Sequence, residues 1–165
     1  MRVLIAVQDE VCVNELLKFV ANYPWPPDVE FKILHVVSPV KIASFMSVLP
    51  SPYLDEVSKE KTRLGQELVD DMNKRLLSSV KAKVVTREVL EGLPKEEILD
   101  HIKDWKADMV ILGSHRKHGA QGIMMGNVTQ AVASHAPCSV IVVPLARPES
   151  SAGEEKKEKK PHVII

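Results

Sequence analysis

The stretch GSHRKHGAQGIMMGN, residues 113–127, carries residue types that could bind an anion. Gly113 directly follows an apolar run, where a glycine allows either a sharp turn or the close approach of a ligand to the backbone. Arg116 lies among Lys and His residues, and an arginine can hold a phosphate group through two hydrogen bonds. Gly126 and Asn127 precede a helical pattern, and Asn is a favoured N-cap residue. The stretch therefore predicts a loop that cradles a negatively charged group.

The helix predicted at residues 127–135 strengthens this interpretation, because a helix N-terminus exposes free N–H groups and partial positive charge. Asn127 and Gln130 have the spacing of a capping box. Two other interpretations stay open: a surface connection whose Gly and Asn residues serve only the turn and the cap, and a metal site built on His115 and His118. The two His residues have no third ligand nearby in the sequence, which makes a metal site the weakest of the three.

The elements that must position this stretch can be predicted from hydrophobic patterns. Five apolar, mostly β-branched runs indicate strands buried on both faces of a parallel sheet, at residues 3–7, 30–37, 82–90, 108–113 and 139–144. Only the third run alternates, which favours an edge position. Helical patterns lie between the runs, at residues 14–23, 53–80, 94–105 and 127–135. The alternation predicts an α/β fold with an open five-stranded parallel sheet and helices on both faces, of the Rossmann-like type.

In such a sheet, ligands bind at the carboxyl ends of the strands, near the point where the strand order reverses. Residues 8–10, after the first strand, should then face the stretch that follows the fourth strand. The segment at residues 38–53 is long for a connection between a strand and a helix, and its three Pro residues argue against regular structure. Long connections in compact domains are usually functional or mobile.

The composition narrows the class of protein. With 165 residues, the chain is expected to form one domain at residues 1–146, followed by a charged and disordered tail at residues 147–165. The charges of the 22 basic and 22 acidic residues cancel, which argues against a nucleic-acid-binding protein.

The two cysteines and the lack of a long apolar run bear on localisation. Cys12 and Cys138 lie in apolar surroundings without a CxxC spacing and are interpreted as buried thiols of a reducing compartment. No run approaches the ~20 apolar residues of a membrane helix, and no signal peptide is recognised, so we expect a cytoplasmic protein.

Three stretches, DMVILGSH followed by GNVTQAVASHAPCSVIVVP, VLEGLPKEEIL and ILHVVSP, resemble the universal stress protein family. The resemblance covers about residues 2–145 in the same order of elements. It implies the α/β fold above, a cytoplasmic stress-response regulator, and a homodimer formed through the last strand at residues 139–144. It also implies an adenine nucleotide, ATP or AMP, with Mg²⁺ accompanying ATP.

The resemblance assigns ten residues to the nucleotide, with no catalytic residue and no metal ligand. Ala6, Val7 and Gln8 would line the nucleoside, and the backbone of Val36 would meet the adenine edge. Leu112 and Gly113 would flank the ribose and the phosphates. The phosphates would be held by Arg116, Gly126, Asn127 and Val128.

The sequence departs from the family pattern at three positions. Nucleotide-binding members carry G-x-x-G, nine residues, then G and Ser or Thr, whereas this chain has Gly113, Arg116, Gly126 and Asn127. A family aspartate after the first strand is Gln8 here, with Asp9 one residue later. A second hypothesis is therefore a dimeric interaction module that binds no nucleotide.

A third hypothesis, a slow ATPase, has the least support. Ser114, His115 and Asp9 are chemically suitable side chains, but no spacing joins them into a catalytic set.

Overall fold

The computed structural model describes the backbone of residues 1–39, 51–115, 117–119 and 122–145. Arg116, most of the segment at residues 38–53 and the tail predicted at residues 147–165 therefore lie outside the described residues. Within the described ranges, no helix combines the length and the apolar character needed to cross a membrane.

Five strands form one parallel sheet, as predicted. They are β1 (Arg2–Val7), β2 (Glu30–Val37), β3 (Val84–Glu91), β4 (Met109–His115) and, last in the chain, β7 (Ser139–Leu145). Two further short strands, β5 (Lys117–Gly119) and β6 (Gly122–Met124), form an antiparallel ribbon. The order across the main sheet is β3-β2-β1-β4-β7, so the alternating third run is an edge strand, as its pattern predicts.

In the part of the chain that the structure describes, four helices cover the sheet: α1 (Glu10–Asn22), α2 (Ser51–Ser79), α3 (Pro94–Asp104) and α4 (Asn127–His135). The side chains of β1 alternate between two cores because successive residues of a strand point to opposite faces. Val3 and Ile5 join the core under α1 and α2, whereas Leu4 and Ala6 join the core under α3 and α4. The central strand is thus buried on both faces, which explains why its apolar run is continuous rather than alternating.

Two predictions of irregular structure are wrong in part. The fourth strand continues past Gly113, because Ser114 and His115 stay in register with Pro144 and Leu145 of β7. The stretch predicted as a loop therefore begins as strand and continues into the β5–β6 ribbon. The helix α2 begins at Ser51, inside the segment that its Pro residues marked as irregular. A proline in the first turn of a helix lacks only an N–H group that would have no partner inside the helix.

Candidate functional site

A cavity of about 340 Å³ opens at the carboxyl ends of β1 and β4, beside the first turn of α4. This is the position that the strand order predicts for a ligand, since the chain leaves β1 and β4 in different directions across the sheet. Four residues assigned by sequence to the nucleoside side line it, namely Ala6, Val7, Gln8 and Val36. Three of those assigned to the ribose and phosphates line it as well, namely Leu112, Gly113 and Val128.

Of the other assigned residues, Gly126 and Asn127 lie at the start of α4 but do not form the cavity wall. Arg116 lies outside the described residues. The wall also contains six residues that the sequence did not assign: Cys12, Leu34, Ser38, Pro94, Ile98 and Thr129. Ser38 directly follows β2, so its place at the carboxyl end of that strand could have been predicted.

The start of α4 corrects one prediction. Gly126, in an extended conformation with φ −64° and ψ 152°, is the N-cap, and no side chain makes a capping hydrogen bond there. The first helical hydrogen bond runs from the Gln130 N–H to the Gly126 carbonyl, at 2.9 Å. The predicted cap at Asn127 with Gln130 is therefore wrong by one residue, because the cap is the residue whose carbonyl accepts that first bond. Asn127 is instead the first residue of the helix.

This geometry leaves three backbone N–H groups without a partner inside the helix, those of Asn127, Val128 and Thr129. Val128 and Thr129 also line the cavity, so this end of the helix meets the cavity wall. Such an N-terminus carries partial positive charge from the aligned peptide dipoles. The phosphate end of the predicted site is therefore electropositive even without a charged side chain.

The remainder of the cavity wall is largely apolar and neutral. The Cys12 thiol is buried and lies 3.9 Å from the Ala6 carbonyl. Burial raises the pKa of this thiol above its usual value, which keeps it protonated near neutral pH. Cys138, predicted to be buried, is only half-buried, and both cysteines are free thiols. An apolar wall beside an electropositive helix end can accept a flat apolar group at one side and an anion at the other.

The two glycines of the motif differ in their surroundings. A Cβ atom added at Gly113 would lie 2.7 Å from the Leu145 Cδ2 and 2.8 Å from the Cys12 Sγ. A Cβ atom added at Gly126 would have no heavy atom of the described residues within 4 Å. Gly113 is thus required by packing between β4, β7 and α1, whereas Gly126 borders open space.

Asp9 joins the two segments that were predicted to face each other. Its carboxylate caps α1 by accepting a hydrogen bond from the Cys12 N–H at 2.8 Å. The same carboxylate lies 3.5 Å from the Nε2 atom of His115, at the end of β4. Asp9 therefore has a structural role at the start of α1. Gln8, which the resemblance aligns with the family aspartate, is exposed and lines the cavity.

A metal site finds no support in the described part of the chain. There, no three His, Cys, Asp or Glu side chains are grouped so that they could hold a metal ion. The side chain of His118 lies outside the described residues, so the proposed pair with His115 cannot be assembled from them.

A second groove, of about 660 Å³, lies between β2 and α2. It shares Gln8, Val36 and Ser38 with the cavity, so the two spaces meet at the carboxyl ends of β1 and β2. Leu64 borders this groove and is 51% exposed, although the helical pattern of α2 places it in the inward stripe. The crevice therefore extends from the cavity towards α2.

Two curated relatives are similar to this chain. Universal stress protein MJ0531 of Methanocaldococcus jannaschii is 30% identical over 99 residues, which cover 56% of this chain and 58% of that protein. The match thus spans little more than half of that relative. Universal stress protein YxiE of Bacillus subtilis is 23% identical over 147 residues, which cover 86% of this chain and 97% of that protein.

Solved structures share the fold. Hypothetical protein MJ0577 superposes with a TM-score of 0.69 at 24% identity, covering 89% of this chain and 97% of that one. A universal stress protein in complex with cAMP has a TM-score of 0.57 at 14% identity, with 88% and 98% covered. A family protein from Arabidopsis thaliana with AMP bound has a TM-score of 0.57 at 15% identity, with 93% and 97% covered. At these identities the likeness shows the fold alone.

A family model, that of the universal stress protein family, matches residues 1–144. The match covers all five strands of the main sheet except the last residue of β7, and all four helices. The chain belongs to the universal stress protein family.

Proposed function

We propose that the protein is a stress-response regulator that binds an adenine nucleotide, ATP or AMP, in the cavity between β1, β4 and α4. The observation that carries the proposal is the meeting, in one cavity, of an apolar wall and a helix N-terminus whose first amides have no partner inside the helix. The solved relatives with AMP and with cAMP bound support the choice of an adenine nucleotide. The volume of the cavity lies within the ~300–1,000 Å³ usual for small-molecule sites.

The nucleoside would occupy the apolar side of the cavity. Ala6 and Val7 would contact the ring system, and the backbone of Val36 would meet the adenine edge. The Gln8 side chain would hydrogen bond to a ribose hydroxyl. Because its amide is neutral, this bond is weaker than one made by the carboxylate of the family aspartate.

The phosphates would occupy the side formed by α4. Leu112 and Gly113 would flank the ribose, and the amides of Asn127 and Val128 would donate to phosphate oxygens. Gly126 would leave room for those oxygens, since no atom of the described residues fills the space where its side chain would lie. Sequence alone assigns Arg116 a place at the phosphate rim. Mg²⁺ accompanying ATP would be bound mainly by phosphate oxygens and water, as is usual for this ion.

The test is an equilibrium titration of the purified full chain with labelled AMP and labelled ATP, the latter with and without Mg²⁺. Saturable binding that unlabelled AMP competes away, and that inorganic phosphate at the same concentration does not, supports the proposal. Absence of binding at millimolar nucleotide would contradict it. Native mass spectrometry of the freshly purified protein adds a second readout, since a retained adenine nucleotide would appear as a defined increase in mass.

A second candidate function, a dimeric interaction module, is favoured by the edge strand β7. Within the described ranges this strand pairs only with β4, and it carries no charged residue over Ser139–Leu145. An uncharged edge offers unpaired N–H and C=O groups to another strand. We therefore also propose a homodimer through residues 139–144, which is compatible with either function.

The substitution Ile141→Lys tests the dimer, because Ile141 is only partly buried, whereas Val143 belongs to the core. A lysine on an edge strand opposes edge-to-edge pairing. We expect sedimentation velocity to show a dimer for the wild type and a monomer for Ile141→Lys with an unchanged circular dichroism spectrum. Ala133→Lys, on the exposed surface of α4, is the matched control for added charge. A dimer that persists in Ile141→Lys would place the interface elsewhere.

A further inference from the structure

Thr129 is a buried polar residue in the first turn of α4, only 5% exposed, and it lines the cavity. In the described part of the chain, Ser114 is the only other buried polar or charged residue. The Thr129 hydroxyl donates a hydrogen bond to the Gly113 carbonyl at 3.0 Å. This bond joins the start of α4 to β4 at the residue where that strand borders the cavity.

The hydroxyl is unsuited to binding the phosphate itself. A threonine hydroxyl has a single proton, and here that proton is directed to the Gly113 carbonyl. Towards an anion the oxygen would present only its lone pairs, which repel the lone pairs of a phosphate oxygen. Any contribution of this side chain to anion binding must therefore act through the position of the helix.

The helix has two kinds of anchor. Val132, one turn further along, is fully buried and packs in the core under α3 and α4. Apolar contact is non-directional and so leaves the helix free to rotate or slide slightly. The strength of a hydrogen bond depends steeply on its angle and distance. The bond from Thr129 to Gly113 thus restricts the direction in which the first turn points.

We propose that Thr129 is a positioning residue that aims the free amides of Asn127, Val128 and Thr129 into the cavity. This inference rests on the proposed function and extends it to a residue outside the G-x-x-G-x9-G-[ST] motif. The role requires the hydroxyl and not the methyl group of threonine. The role affects the binding of the phosphate and not that of the nucleoside, which would lie against β1 and β2.

The test compares Thr129→Val, Thr129→Ser and the wild type in calorimetric titrations with AMP and with adenosine. We expect Thr129→Val to weaken AMP binding about tenfold, because several amide contacts to an anion lose their alignment together. Adenosine binding should change less than about twofold, since adenosine has no phosphate. Thr129→Ser should restore AMP binding to within about threefold of the wild type. Ser134→Ala, at the exposed far end of α4, is the control for loss of a helix hydroxyl.

Three results would overturn the inference: unchanged AMP binding in Thr129→Val, an equal loss for AMP and adenosine, or a Thr129→Ser variant that behaves like Thr129→Val. Thermal unfolding followed by circular dichroism checks that each variant is folded. If Thr129→Val does not fold, Thr129→Ala replaces it, because alanine also removes the hydroxyl but places no methyl group against the Gly113 carbonyl. A wild type that binds neither AMP nor adenosine would instead contradict the proposed function, and the inference with it.

Discussion

Gly113 and Gly126 are both glycines of one sequence motif, but they lie on sides of the crevice with opposite physical character. Gly113 is enclosed by Leu145 and Cys12, so its lack of a side chain serves the packing of the protein. Among the described residues, no atom lies close to the space beside Gly126 at the N-terminus of α4, so their packing does not require a glycine there. Packing alone therefore explains the glycine at position 113, although this residue also lines the cavity, whereas packing against the described residues gives no reason for a glycine at position 126. Two neighbouring residues also differ in role: Asp9 caps α1, whereas Gln8 lines the cavity.

The largest effect is expected on stability, from a substitution at Gly113. Gly113→Ala should lower the free energy of unfolding by about 1–3 kcal/mol, because the added methyl group overpacks a core. Gly126→Ala should change it by less than about 1 kcal/mol, since the backbone there is extended and the space is free. Urea denaturation of the two variants measures both values. Equal destabilisation by the two substitutions would remove the distinction between the glycines.

Substitutions at Gly126 should change the affinity for the ligand. Gly126→Val should weaken AMP binding by at least about tenfold, because its side chain would occupy the space assigned to the phosphates. Adenosine binding should stay close to that of the wild type, and Gly126→Ala should give an intermediate loss for AMP. Isothermal titration calorimetry distinguishes these cases. If Gly126→Val binds AMP as the wild type does, the phosphate does not lie beside this residue.

Substitution of Asp9 offers a second test of stability. Asp9→Ala removes the side-chain acceptor of the Cys12 N–H and should cost about 1 kcal/mol of stability, as is typical for an N-cap. Asp9→Asn keeps an oxygen acceptor and should lose much less. Nucleotide affinity should be nearly the same in both variants, as measured by fluorescence competition. A selective loss of AMP binding in Asp9→Asn would show that the carboxylate contributes to the ligand site.

Gln8 should give the smallest effect. Gln8→Asp restores the family carboxylate, and hydrogen bonds to charged groups are stronger than neutral ones. We expect a gain of about fivefold in affinity, equal for AMP and adenosine because both contain the ribose. Gln8→Asn is the control for the shorter side chain. A gain restricted to one of the two ligands would argue against a ribose contact.

The elements were largely predictable from the sequence because each pattern is local. The runs at residues 30–37 and 127–135 match β2 and α4 without any shift, and the alternating third run is the edge strand β3. The limits of prediction have physical reasons. Leu64 lies exposed because periodicity records which side of a helix is apolar and not whether another element covers each turn.

The site was predictable only in part. Topology predicted only that the segments after β1 and β4 face each other, because a parallel sheet brings the carboxyl ends of its strands to one edge, and the resemblance supplied the individual residues. Thr129 and Cys12 could not be assigned from the sequence, because their places in the cavity wall depend on how α4 and α1 pack against the strands. The N-cap of α4 is displaced by one residue, from Asn127 to Gly126, since side-chain preference alone does not determine where the helical bonds begin.

In the proposed complex, amides at the start of α4 donate hydrogen bonds to the phosphate of an adenine nucleotide. Two-dimensional ¹H–¹⁵N NMR of the uniformly labelled full chain, titrated with AMP and separately with adenosine, tests this arrangement most directly. We expect saturable shifts of the Asn127, Val128 and Thr129 amides with AMP that adenosine does not produce, beside shifts near Val7 and Val36 with both ligands. Saturable AMP binding that leaves the three α4 amides unmoved would contradict it.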